Sequence, residues 1–326
     1  MRWFIAVLLV AGSFAQAAAQ TDEQYIRHWQ SEWPDTDFSK RSVDFDEIKS
    51  GGPPKDGIPP IDEPEFRPVG EIEGLEDAQP VMGLIVDGEA KAYPLSVLMW
   101  HEIVNDEIAG VPVAVTFCPL CNAAIVFDRR LGGRVLDFGT TGKLRNSDLV
   151  MWDRQTESWW QQFVGEAIVG ELTGARLEVI PSRVESFARF RERAPDGQVL
   201  VPGGRYRRNY GQNPYVGYDT LGQPYFWQGE MPDGVPPLMR VVSLGERGAW
   251  TLELVRTRGE VRLDDGTVIR WTPGQFSALD ANVIAESRDV GNVTVTRDGA
   301  DVAHGVDFAF AYHAFYPDAP IRHLAD

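Results

Sequence analysis

Two β-patterned runs, Val113-Ala-Val-Thr-Phe117 and Ala123-Ala-Ile-Val-Phe-Asp128, are separated by Cys118-Pro-Leu-Cys121. That spacing leaves room only for a tight hairpin turn, and it brings both thiols to one point. These are the only two cysteines of the 326-residue chain. A thioredoxin-type couple sets its first cysteine at a helix N-terminus, which lowers the thiol pKa. Here strand pattern follows Cys121, so the pair reads as one knuckle of a zinc-ribbon-like hairpin. Three chemistries stay open for it: a metal site, a disulfide in an oxidising compartment, and a redox-active pair.

A structural zinc site needs four ligands, and no second cysteine pair exists. His101, in Trp100-His-Glu-Ile-Val-Asn-Asp106, ends a helical pattern that leads into the hairpin, and it is the candidate third ligand beside Cys118 and Cys121. Two thiolates and an imidazole suit Cu(I), or Zn(II) with an open fourth position. The bland reading of His101 is a helix C-terminal histidine favoured by the dipole. Glu102, Asp148, Asp153 and Arg154 are candidates for a surrounding layer. Asp148 and Asp153 flank an apolar run, which also suits turn and strand-end roles.

The fold expectation is α+β and β-rich. Pro80–Leu98 aligns without a gap on Pro237–Val255, with Pro80/Pro237, Met82/Met239, Gly88/Gly245, Glu89/Glu246, Ala92/Ala249 and Leu95/Leu252 identical. The alignment predicts two related strand-hairpin-helix repeats joined by a long loop. Arg258 falls where the first repeat has His101, and no cysteine lies in the matching hairpin. The second repeat is therefore expected to be degenerate and the chemistry to lie in the first. Expected boundaries are a signal peptide over 1–19, an extended arm over 20–69, the first repeat over 70–200, a Gly/Pro/Tyr-rich loop over 201–235 and the second repeat over 236–326. Leu95, Leu98, Met99 and Ile103 mark the core face of a helix opened by Pro94.

Trp3–Val10 is an apolar stretch followed by small residues through Ala19, the pattern of a secretory signal. It predicts a periplasmic or secreted protein with no stable membrane anchor after cleavage. With 31 basic against 48 acidic residues the formal net charge is −17, which argues against a nucleic-acid partner. Gly139-Thr-Thr-Gly-Lys143 lacks the spacing and the Ser/Thr of a phosphate loop, so no nucleotide cofactor is expected. Copper or zinc is the cofactor expectation, and the sequence specifies no partner. Two rival functions remain: an extracytoplasmic thiol-disulfide protein, and a binding module that uses Trp159, Trp160 and the Tyr206–Tyr225 aromatics around a structural disulfide. The sequence does not decide whether the chain is an enzyme.

Gly88-Glu-Ala-Lys-Ala-Tyr-Pro-Leu95, Trp100–Asp106, Thr116-Phe-Cys-Pro-Leu-Cys121, Phe127-Asp-Arg129, Asn146-Ser-Asp148 and Asp153-Arg-Gln-Thr-Glu-Ser158 together resemble the signature blocks of the DUF3179 family. The likeness runs from about Asp56 to the C-terminus. That family is defined as one of unknown function, so the resemblance implies no reaction. Its usual residue after the second cysteine is glycine. Asn122 stands there in this chain and also tolerates left-handed geometry.

Overall fold

A computed structural model describes residues 22–325, so the expected signal peptide lies outside the described residues. Strands dominate. Five sheets of four or five strands are arranged as a five-bladed β-propeller, which overturns the expected α+β pair of repeats. Only five helices accompany them among the described residues. The four at Leu95–His101, Phe187–Arg193, Leu252–Arg258 and Ala309–Phe315 are seven residues each. About two turns is too short to build a helical layer. Each of these helices instead follows directly on a strand.

The gapless alignment reflects likeness between two blades, not two halves. In one blade Arg183–Ser186, Pro80–Val86, Glu89–Pro94 and Gln198–Val201 lie side by side, and Glu65–Pro68 adds an edge. In the other, Gly305–Phe308, Arg240–Ser243, Ala249–Thr251 and Ile321–Arg322 repeat the order. The two hairpins differ in register. Leu84 pairs with Lys91, so the alignment would pair Val241 with Gly248, but Val241 pairs with Thr251. The remaining three blades have no counterpart in the alignment, which is why the repeat misled.

The helical spacing of 95–103 also over-reaches. The helix stops at His101 because Glu102 takes φ +59° and Ile103 already begins a strand. Left-handed geometry at a non-glycine residue ends a helix abruptly.

Two cores position the site. The larger gathers Phe117, Phe127, Phe138, Met151, Trp160, Tyr218, Phe308 and Phe310. A second, aromatic one packs Trp29, Trp33, Phe38 and Phe45 from the N-terminal segment onto Trp152 and Trp159. Trp159 lies 5.0–5.5 Å, centroid to centroid, from Trp29, Trp33 and Phe38. Trp159 and Trp160 are completely buried, so neither presents a surface to a glycan or peptide. Lys143, from the rejected phosphate-loop segment, sits buried among Trp29, Trp33 and Trp159. No described helix is long and apolar enough to cross a membrane.

Candidate metal centre

The hairpin forms with Val111–Cys118 paired to Ala123–Asp128, closing on the Cys118/Ala123 pair. Asn122 adopts φ +51°, the left-handed turn position, and its N–H donates to the Pro119 carbonyl at 3.2 Å. Its side chain does more than tolerate the turn. Asn122 Nδ2 donates to the Val306 carbonyl at 2.6 Å, and Phe308 N–H donates to the Cys121 carbonyl at 2.9 Å. These bonds dock the cysteine turn onto Gly305–Phe308 of another blade. The Tyr218 hydroxyl donates to the Leu120 carbonyl at 3.0 Å and covers the turn from the long loop.

Asp148 opens the strand Asp148–Asp153 on a third blade. One ligand atom each from Cys118, Cys121 and Asp148 lies within 4.8 Å of the others. Cys118 is 2% exposed, and Cys121 and Asp148 are wholly buried. The two thiols are not joined in a disulfide. Asp148 Oδ2 accepts from Gln161 Nε2 at 2.7 Å and from Phe163 N–H at 2.9 Å, which fixes the carboxylate. Asp148 Oδ1 is buried with no hydrogen-bond partner. A buried anion left half-satisfied is costly unless a proton or a cation answers it.

The surroundings add negative charge, and against it stand only the hydrogen bonds on Asp148 from Gln161, Phe163 and the two thiols. Glu102 is 8% exposed and sits beside the group. Burial and the Asp148 charge push its pKa up to about 8. Burial pushes Asp148 up to about 7. Asp307, on Gly305–Phe308, is also buried and pushed up to about 7, first by burial and then by Asp148, against its hydrogen bond from Ser243. Burial pushes both cysteine thiols up, and the nearby carboxylates raise them further. Neither Asp148 nor Glu102 has an ion-pair partner among the described residues. Such thiols stay protonated near neutral pH, the reverse of a low-pKa redox couple. A bound dication would supply the missing charge and hold the ligands deprotonated.

Backbone strain gathers here. Glu102, Asn122, Asn146 and Ser147 all have positive φ, at +59°, +51°, +54° and +62°. The consecutive pair Asn146–Ser147 turns the chain immediately before Asp148. Ser147 also accepts the Cys118 thiol at its carbonyl, 3.8 Å away, and donates its hydroxyl to the Tyr225 carbonyl at 2.6 Å. Unfavoured φ values persist where the surroundings enforce them, and they cluster at functional sites.

His101 is not part of this group. Its ring is fully buried, with Nδ1 2.7 Å from the Pro59 carbonyl and Nε2 2.8 Å from the Tyr210 hydroxyl. The carbonyl can only accept, so Nδ1 carries the proton and Nε2 accepts from Tyr210. Both nitrogens are committed, and burial holds the pKa below its ordinary value. The helix path that suggested His101 delivers its neighbour Glu102 instead. Asp153 lies elsewhere, accepting from Thr156 and Trp160 Nε1 to close its own turn. Arg154 pairs with Asp62 at 2.9 Å. Tyr215, Tyr218 and Asp307 carried no motif in the sequence. Tyr215 and Tyr218 were visible only as members of an aromatic-rich loop.

A family model described as "Protein of unknown function (DUF3179)" matches residues 55–319. The chain belongs to that family. No curated protein and no solved structure matches it.

Proposed function

We propose that this chain is an exported metal-binding protein that holds a borderline divalent ion, zinc, through Cys118, Cys121 and Asp148. The observation that carries the reading is the buried, unpartnered Asp148 Oδ1 beside two buried thiols. Metal–ligand bonds of about 2.0–2.3 Å place tetrahedral ligands roughly 3.5–3.8 Å apart, so closing the group around an ion takes a contraction of at most about 1 Å. A carboxylate in the set favours zinc over Cu(I), which prefers sulfur and imidazole ligands. A plain disulfide would leave the Asp148 carboxylate to be answered by a proton alone. Export rests on the Trp3–Val10 apolar stretch and the small residues after it.

The test is metal analysis of protein purified reduced and anaerobically, then titrated with Zn(II) against a chelator of known affinity. One equivalent should bind. Cys118→Ser should abolish stoichiometric binding, and Asp148→Asn should weaken it by more than about tenfold, as loss of even an outer partner does. Equal binding by wild type and Cys118→Ser would leave the disulfide as the better account of the pair.

A further inference from the structure

A cavity of about 380 Å³ opens where the blade of Pro80–Val86 meets the long loop, and Cys118, Cys121 and Asp148 are not part of its lining. Leu75, Val97 and Leu200 give it an apolar side. Small-molecule sites combine such a lining with a few placed polar groups. Two of the polar groups here are buried and idle. Ser96 is 8% exposed and Gln79 is 5% exposed, and both line the cavity. The Ser96 hydroxyl has no hydrogen bond to a described residue. Gln79 Oε1 accepts Glu76 N–H at 2.8 Å, while its Nε2 donates to no described residue. Neither idle atom is sealed from solvent, and in residues this buried it is the cavity that reaches them. The wall from the long loop is fixed. Tyr210 lines the cavity, its hydroxyl donates to His101 Nε2 at 2.8 Å, and its ring stacks on the imidazole at 5.8 Å and 22°. The histidine that the metal group does not use thus holds this wall in place. A preformed site avoids the cost of ordering on binding.

Three charged side chains, Arg67, Glu71 and Glu73, also line the cavity, and none has an ion pair or hydrogen bond with a described residue. An anion alone would meet the two carboxylates, and a cation alone would meet the guanidinium. Unpaired charges of both signs beside an apolar lining match a ligand that carries both signs on an apolar body. We propose that this cavity binds a small zwitterion of that kind, an apolar α-amino acid. Arg67, Ser96 and Gln79 offer the donors that its carboxylate needs. Glu71 and Glu73 offer the acceptors that its ammonium needs. The site stands whether or not the cysteines hold an ion.

The probes are L-leucine, isocaproate and isoamylamine, titrated into the full chain by calorimetry. Isocaproate keeps the leucine body without the ammonium, and isoamylamine keeps it without the carboxylate. Leucine should bind saturably and about tenfold more tightly than either congener, because a hydrogen bond to a charged group contributes at least that factor. Arg67→Gln should weaken leucine and isocaproate about tenfold and leave isoamylamine unchanged. Ser96→Ala should weaken the same two probes about fivefold, through loss of one donor. Arg67 is exposed, so its variant tests binding and not folding. A congener that binds wild type as tightly as leucine would overturn the zwitterion assignment. An Arg67→Gln variant that loses all three probes alike, or none, would overturn the role given to Arg67. No saturable binding of any probe by wild type would overturn the site.

Discussion

Asp148→Asn should stabilise the metal-free protein while crippling metal binding. The Asp148 carboxyl rises from its ordinary 3.8 to about 7 because burial penalises the charged form. Its folded-state pKa lies above its unfolded one, so between those values the folded chain holds a proton that the unfolded chain has lost. Stability of the metal-free protein therefore falls as pH rises through that window and levels off above it. The full rise corresponds to about 4 kcal/mol, an upper figure. Asparagine can still accept from Gln161 Nε2 and Phe163 N–H, and it cannot ionise. Urea unfolding of metal-free protein should show the variant near wild type at pH 3, about 1–2 kcal/mol more stable at pH 5 and up to about 4 kcal/mol more stable at pH 8. With Zn(II) in excess the variant's advantage should shrink, since the wild type gains more binding free energy than the variant does. A variant less stable than wild type at pH 8 without metal would refute the claim that Asp148 is a half-satisfied buried anion.

Further outcomes follow from the surrounding structure. Trp159→Ala removes a fully buried ring packed on Trp29, Trp33 and Phe38 and should cost about 3–5 kcal/mol in denaturant unfolding, with earlier proteolytic loss of the N-terminal segment. Asn122→Gly keeps the left-handed turn and loses the bond to the Val306 carbonyl, for about 1 kcal/mol; Asn122→Ala adds the conformational cost and should lose about 2 kcal/mol or more. Arg240→Ala leaves Asp219 buried with only Arg288 as its cationic partner and should cost about 3 kcal/mol by thermal or chemical unfolding. The thermal shift given by Zn(II) should grow from pH 5 to pH 8, because the metal displaces protons from the thiols and Asp148; a shift independent of pH would argue against these ligands.

The cysteine hairpin was legible because its physics is local: strand pattern on both sides and a turn of fixed length. The helix at 95–101 was legible from Pro94 and its apolar spacing, but its end was not, since Glu102 adopts left-handed geometry that its residue type does not advertise. Blade assembly was hidden for another reason. Period-two runs specify strands and say nothing of how five sheets are set around one another. Asp148 was visible as one of several acidic candidates and could not be ranked above Asp153, because their difference lies in tertiary partners. Asp153 is satisfied within its own turn, while Asp148 Oδ1 is left without one. His101 looked correct in one dimension, and the Pro59 carbonyl and Tyr210 hydroxyl that occupy it come from distant segments.

The most direct measurement is the zinc content of the reduced, anaerobically purified protein beside that of its Cys118→Ser variant. The account predicts one tightly held equivalent in the wild type and none in the variant. A metal-free wild type that fails to take up added Zn(II) with both thiols demonstrably reduced would contradict it.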